Sequence, residues 1–259
     1  MSGTPSLGLL PPPGPASEAG AIRSPSRLSA EPTTRPPIAV FDLDGTLAET
    51  AGDLIGTLNV LMRREGLAEL PLSQARGLIG AGAKALIRRG FEVEGRILSP
   101  DDHERLFEDF IAHYGDHLAD TSHLYPGLVE ALDVLEETGF RLAVCTNKYE
   151  GQSVELLRIL GIGHRFAAIC GRDTFPQYKP DPRHLTGTIE RAGGDPARAV
   201  MVGDSRTDID TAKAAGIPVV AVTFGYTDVP VTDLGPDRVI AHFSELVEAV
   251  VALVPVAAL

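Results

Sequence analysis

From Ile38 onward the chain alternates short, mostly apolar runs with stretches whose apolar residues recur every three to four positions. Ile38–Phe41, Arg141–Thr146, Ala167–Cys170, Ala199–Gly203 and Pro218–Thr223 are too short for helices and rich in β-branched residues, so they predict strands buried on both faces. Arg238–Ala241 predicts a further strand at a sheet edge. Between them, "GLVEALDVLEETG", "GQSVELLRILGIG", "DPRHLTGTIERAGG" and "RTDIDTAKAAGIP" carry the helical period, each with a glycine where a C-terminal cap belongs. This alternation predicts an α/β fold, a Rossmann-like parallel sheet with helices on both faces.

One interval breaks the rhythm. From Glu49 to about Leu124 the pattern is helical throughout, as in "AGDLIGTLNVLMRREG" and "PDDHERLFEDFIAHYGDHLAD", with no convincing strand. A parallel crossover needs only one helix, so residues 49–124 are expected to form a smaller all-helical cap domain inserted after the first strand. Residues 38–48 and 125–259 then make the core domain. An insertion at the carboxyl end of a strand overhangs the crevice where open α/β sheets bind ligands. Residues 1–37, crowded with Pro, Ser, Gly and Ala and without an apolar face, predict a disordered tail.

Composition narrows the function classes. With 44% hydrophobic and 22% charged residues the chain is an ordinary globular one. Its formal net charge of −12 and the lack of Lys/Arg stripes argue against nucleic acid as a partner. No window approaches the roughly 18 uncharged apolar residues of a membrane span, and the apolar run 245–259 is broken by Glu248 and Pro255. No membrane association is expected. Cys145 and Cys170 each end an apolar run, which suggests buried thiols rather than a disulfide and fits a reducing cytoplasm. A monomer and a homodimer are equally compatible with this pattern.

The polar residues that follow the predicted strands carry the chemistry: Asp42 and Asp44, Thr146 and Asn147, Lys179, then Asp204 and Asp208. In a parallel sheet they converge on one rim. Converging carboxylates repel one another, and burial would raise their pKa values further. A hard divalent cation relieves this, and Mg²⁺ favours a few carboxylates, waters and a phosphate oxygen. A lysine and a threonine hydroxyl would meet the remaining phosphate charge. With phosphate in place, one aspartate can attack phosphorus while its neighbour protonates the leaving alcohol and then deprotonates water. Gly45 lets the backbone turn close to the phosphate.

At these residues the chain resembles the haloacid dehalogenase superfamily and, within it, the phosphoglycolate phosphatase-like group. The resemblance rests on "DLDGT" (42–46), "CTNK" (145–148), "GRDTFPQYKPDP" (171–182) and "GDSRTD" (203–208), in order over roughly residues 38–225. It implies Asp42 as nucleophile and metal ligand, Asp44 as general acid/base with its backbone carbonyl on Mg²⁺, and Asp204 as a metal ligand. Asp208 is implied as a ligand or as support. Thr146, Asn147, Lys148 and Lys179 are implied at the phosphate and around Asp42. "GAGAKAL" (80–86) resembles the cap stretch that faces the active site, which places Gly80 and Gly82 at the substrate. The expected substrate is a small phosphorylated metabolite, 2-phosphoglycolate first.

Read singly, each motif has an ordinary explanation. Asp-x-Asp-Gly serves solvated turns, "GDSRTD" serves as a helix N-cap with acids in its first turn, and a lysine before proline sits on many surfaces. Their joint order selects the catalytic reading. An EF-hand is excluded because Gly45 falls too early and a strand precedes it. "GAGAKAL" lacks the lysine–hydroxyl spacing of a P-loop and the third glycine of a dinucleotide fingerprint. Asp109, His113 and His117 have helical zinc-ligand spacing, but the surrounding acids favour a solvated face. Asp44 favours phosphoryl chemistry over dehalogenation. Lys84, alone among lysines between Phe41 and Tyr125, keeps a phosphonate hydrolase open. Sugar-phosphate phosphatase, phosphomutase and pyrophosphatase remain alternatives, while the paired acids disfavour a non-catalytic phosphate-binding module.

Overall fold

The computed structural model describes residues 1–3 and 35–255. Strands β1 (Ile38–Phe41) and β2 (Ala48–Glu49) lead into helices α1 (Ala51–Arg64), α2 (Leu72–Ala75), α3 (Ala83–Val93) and α4 (Pro100–Asp116). The short β3 (His123–Leu124) returns the chain to α5 (Leu128–Glu137), β4 (Arg141–Cys145), α6 (Glu150–Ile159), β5 (Phe166–Cys170) and α7 (Pro182–Arg191). Then follow β6 (Ala199–Gly203), α8 (Arg206–Ala215), β7 (Val219–Val222), β8 (Arg238–Ile240) and α9 (Leu246–Leu253).

Six strands form one parallel sheet in the order β5-β4-β1-β6-β7-β8. β1 lies between β4 and β6, with Phe41 level with Val144 and Val202. Successive side chains of a strand point to opposite faces, and the packing follows that rule. Ala39, Phe41, Val200 and Val202 pack with Leu132 of α5 and Leu246 of α9. Ile38, Val40, Ala199 and Met201 pack on the other face with Ile189 of α7 and Ile209 of α8. Burial on both faces is why these strands read as unbroken apolar runs. Helices α5, α6, α7 and α8 end as expected, at or just before glycines with positive φ, Gly139, Gly161, Gly193 and Gly216.

Helices α1, α3 and α4 enclose a separate apolar core that includes Leu58, Leu61, Phe91 and Phe110. The chain passes between this layer and the sheet through two adjacent segments, β2 and β3, paired antiparallel with Ala48 opposite Leu124. The interval expected to be helical throughout therefore contains a strand, two residues long and too short for any periodic signal. Just beyond α1's first residues Asp53 fixes the returning segment. Its carboxylate accepts from the amides and hydroxyls of both Thr121 and Ser122, at 2.6–3.2 Å.

The expected Pro/Ser-rich tail falls mostly outside the described residues. Its end does not, and there the expectation of disorder through residue 37 needs correction. The Pro36 carbonyl accepts from the Asp195 amide at 3.0 Å and the Pro37 carbonyl from the Arg141 amide at 2.8 Å. A proline that cannot donate can still accept, so these two residues join the sheet margin.

Candidate active site

Strand order reverses at β1, so the ends of β4, β1 and β6 border the crevice that such sheets offer to ligands. Asp42 continues the ladder past β1, its amide donating to the Val202 carbonyl at 2.9 Å. Its carboxylate accepts from the Leu43 amide at 2.7 Å and pairs with Lys179 Nζ at 3.0 Å. Lys179 also pairs with Asp208 at 2.6 Å and is 2% exposed. Burial works against the charge of this lysine, but Asp208 and Asp42 outweigh it and hold the ammonium protonated.

Asp204 is buried beside them. Its Oδ1 accepts from the Thr46 hydroxyl at 2.9 Å and its Oδ2 from the Tyr226 amide at 2.5 Å. Glycine makes this packing possible. A Cβ at Gly45, whose φ is +84°, would lie 2.5 Å from Asp204 Oδ2, and one at Gly225 would lie 2.2 Å from Asp204 Cβ.

One oxygen each from Asp42, Asp204 and Asp208 lie within 4.8 Å of one another, the one such group of metal-ligating side chains among the described residues. Burial first, and Asp208 second, push Asp42 up from 3.8 to about 7; Asp204 rises well above its ordinary value for the same reasons, with Asp42 adding to them. Such repulsion is what a divalent cation relieves, and oxygen donors of this kind suit Mg²⁺. The fit is uneven across the three. Asp208 Oδ2 accepts from the Ser205 amide and hydroxyl at 3.0 and 2.6 Å, completing the capping box of α8, while Oδ1 holds Lys179. Asp208 therefore caps α8 and holds Lys179 at once, so the helix-cap reading of "GDSRTD" describes its geometry.

Asp44 turns away from this group. Its Oδ1 accepts from the Thr50 hydroxyl at 2.8 Å, and both its oxygens accept from Lys148 Nζ, at 2.9 and 3.0 Å. Lys148 is 7% exposed and sits 4.4 Å above the Tyr114 ring. Burial works against its charge, but Asp44 and Tyr114 outweigh that and keep the ammonium protonated. Expected at the substrate, Lys148 is first of all the counter-ion of Asp44.

Asp42 and Asp44 open onto one cleft of about 570 Å³, counted out to its solvent mouth. Thr146, Asn147 and Lys148 border it from the sheet side, Gly80 and Gly82 from the α3 side. The Asn147 amide nitrogen donates to the Lys179 carbonyl at 3.1 Å, tying two of the predicted motifs together. Seven of the ten sequence-predicted site residues line this cleft; Lys179, Asp204 and Asp208 do not line it but group with Asp42. Two buried polar atoms lining the cleft, Asn147 Oδ1 and the Tyr114 hydroxyl, have no partner among the described residues.

Other sequence candidates stay apart. Lys84 pairs with Glu104 over the Phe107 ring and does not line the cleft. His113 meets the Thr57 hydroxyl, His117 meets Asp120 and Asp109 lies near Arg105, so no zinc site forms from them. Cys145 and Cys170 are free and buried, and burial pushes the Cys145 thiol up to about 12. Sequence reasoning passed over Tyr226, whose hydroxyl accepts from the Thr50 and Ala51 amides at 2.6 and 2.9 Å and donates to Glu49 at 2.6 Å. It also passed over Tyr114 and Arg172. A usable signal for Tyr226 existed, since "TFGYTD" follows β7 at the same edge of the sheet.

Residues 39–222 match the family model described as haloacid dehalogenase-like hydrolase. A phosphoglycolate phosphatase of Mesorhizobium japonicum is 51% identical over 210 residues, covering 81% of this chain and 92% of its own length. Among solved structures, a predicted phosphoglycolate phosphatase from Haemophilus somnus is 30% identical with a TM-score of 0.76, over 83% of this chain and 98% of that one. CbbY from Rhodobacter sphaeroides, in complex with phosphate, is 26% identical with a TM-score of 0.69, over 82% and 96%.

Proposed function

Because this chain belongs to the haloacid dehalogenase-like hydrolase family and is a phosphatase resembling its phosphoglycolate phosphatases, we propose that it hydrolyses 2-phosphoglycolate with Mg²⁺ through an aspartyl-phosphate on Asp42. The observation that carries this reading is the divergence of two carboxylates in one turn. Asp42 faces the buried acidic group and Lys179, Asp44 faces Lys148 and Thr50, and both open onto one cleft. Residues 49–124 act in this reading as a cap domain over a core formed by 38–48 and 125–259. No helix among the described residues is long and apolar enough to cross a membrane, and a cytoplasmic site of action belongs to the same proposal.

Asp42 and Asp204 side chains with the Asp44 carbonyl would hold the cation, supported by Asp208. Bound there, Mg²⁺ supplies positive charge to the phosphoryl oxygens. Asp42 attacks phosphorus, the P–O bond to the alcohol breaks, and the leaving oxygen takes a proton from Asp44, which enters this step protonated and pairs with Lys148 as a carboxylate once the proton is given up. Asp44, now a carboxylate, takes a proton from the water that cleaves the acyl-phosphate and returns Asp42 free. Lys179 and Thr146 meet the phosphate charge, and Lys179 keeps Asp42 aimed.

Phosphate release from 2-phosphoglycolate, pyrophosphate, nucleoside monophosphates, hexose phosphates and a phosphonate tests the reading, with EDTA controls. A sharp preference for 2-phosphoglycolate, lost with chelation and restored by Mg²⁺, is expected. Asp42→Asn should abolish turnover. Undiminished turnover in that variant would refute the mechanism, and activity spread over sugar phosphates would refute the substrate.

A further inference from the structure

Four charged side chains line the cleft: Asp42, Asp44, Lys148 and Arg172. Lys148 is committed to Asp44, and Lys179, just beneath the lining, to Asp42 and Asp208. Arg172 is different. Among the described residues no carboxylate lies within ion-pairing distance of its guanidinium, which packs 4.5 Å from the Tyr178 ring and 5.8 Å from the Tyr149 ring. Aromatic faces orient an arginine without neutralising it and leave its in-plane donors unused.

Its position is fixed by the phosphate-side loop. The Arg172 amide donates to the Lys148 carbonyl at 2.9 Å, so residue 172 moves with the Thr146–Lys148 segment. The guanidinium reaches the cap side of the cleft at Gly82, where a Cβ would stand 3.1 Å from Nη1 and 3.3 Å from the Asn147 carbonyl oxygen. The φ of +85° at Gly82 and this close approach together explain why glycine occupies that point.

We propose that Arg172 selects the substrate by binding a second anionic group, the carboxylate, at the end away from the phosphate. The inference rests on the substrate class proposed above. A phosphate ester without that group would leave this half-buried guanidinium at the cleft without an anionic partner among the described residues. A carboxylate matches the planar donor fork of arginine; a phosphate does so too, but the reading above gives the phosphate to Lys179 and Thr146, and an uncharged alcohol offers no second anion.

The test compares kcat/KM for 2-phosphoglycolate with that for ethyl phosphate, which keeps the ester and lacks the carboxylate, in wild type, Arg172→Gln and Arg172→Lys. The wild type is expected to favour 2-phosphoglycolate. Loss of a charge-assisted pair should lower that preference about 10- to 100-fold in R172Q, mainly through KM. R172K, which keeps the charge and loses the fork, should fall between. An unchanged preference in both variants overturns the role of Arg172 and leaves the substrate reading standing. A wild type without the preference refutes the substrate reading, and the inference with it. R172K keeps the comparison decisive if R172Q fails to fold.

Discussion

A site built for catalysis should be a liability when it holds no cation, and the Asp42 carboxyl gives the size of that liability. Burial and Asp208 raise its pKa from 3.8 to about 7. A folded-state value above the unfolded one means that the folded protein binds the extra proton. Stability is therefore present at low pH and lost as pH rises through about 7. The full rise corresponds to roughly 4 kcal/mol, at 1.36 kcal/mol for each tenfold change in proton affinity. On the order of 3 kcal/mol of it is lost between pH 5 and pH 8.5. His184 acts in the opposite direction, because burial and then Lys179 lower it to about 4, so its contribution grows as pH rises toward its ordinary value. Asp42→Asn keeps His184 and the likewise raised Asp204 and removes the Asp42 carboxyl, which makes the difference between the two proteins the informative quantity. At roughly 2–4 °C per kcal/mol for a chain of this size, Tm of D42N minus Tm of wild type should grow by about 6–12 °C from pH 5 to pH 8.5 in EDTA. Mg²⁺ should shrink that difference, because the cation offsets the charge that D42N removes. Thermal melts at four pH values, with EDTA or MgCl₂, decide the matter. A difference that stays flat or shrinks with pH in EDTA would refute the reading of the acidic group as an uncompensated charge cluster.

Two further substitutions probe the parts that hold the site together. Asp53→Ala removes the shared acceptor of four donors where β3 begins, two on exposed Thr121 that water can answer and two on half-buried Ser122, at a cost of about 1–3 kcal/mol; urea unfolding should show a drop in midpoint, and an unchanged midpoint would deny the segment its anchoring role. Gly225→Ala places a methyl 2.2 Å from Asp204 Cβ, so Asp204 must move; Mg²⁺ titrations followed by activity should show weakened cation dependence with the secondary structure intact by circular dichroism, and wild-type Mg²⁺ dependence would show that Asp204 is not held by this contact.

The sheet and most of the rim were legible because their signals are local. Four-residue and five-residue apolar runs, glycine stops after helices and polar residues at the next position are all contained within a short window, and parallel topology alone then gathers Asp42, Thr146 and Asp204. What was not legible is the choice of partner among the gathered groups. Lys148 was placed at the rim by its motif, yet its ammonium settles on Asp44, from which it is separated by 104 positions. Tyr226 braces the start of α1 and holds Asp204 by its amide through contacts spanning 175 and 22 positions. No periodicity encodes such pairs, since they depend on how loops at several strand ends pack against one another. Arg172 follows the same logic in reverse. Within "GRDTFPQYKPDP" it looks like one more loop charge, and only the pairing of its neighbours identifies it as the cleft cation left without a carboxylate among the described residues. In the proposed reading the charges in this cleft therefore divide by commitment: those paired with one another hold Asp42 and Asp44 in place, and Arg172, unpaired among the described residues, is available to read the substrate.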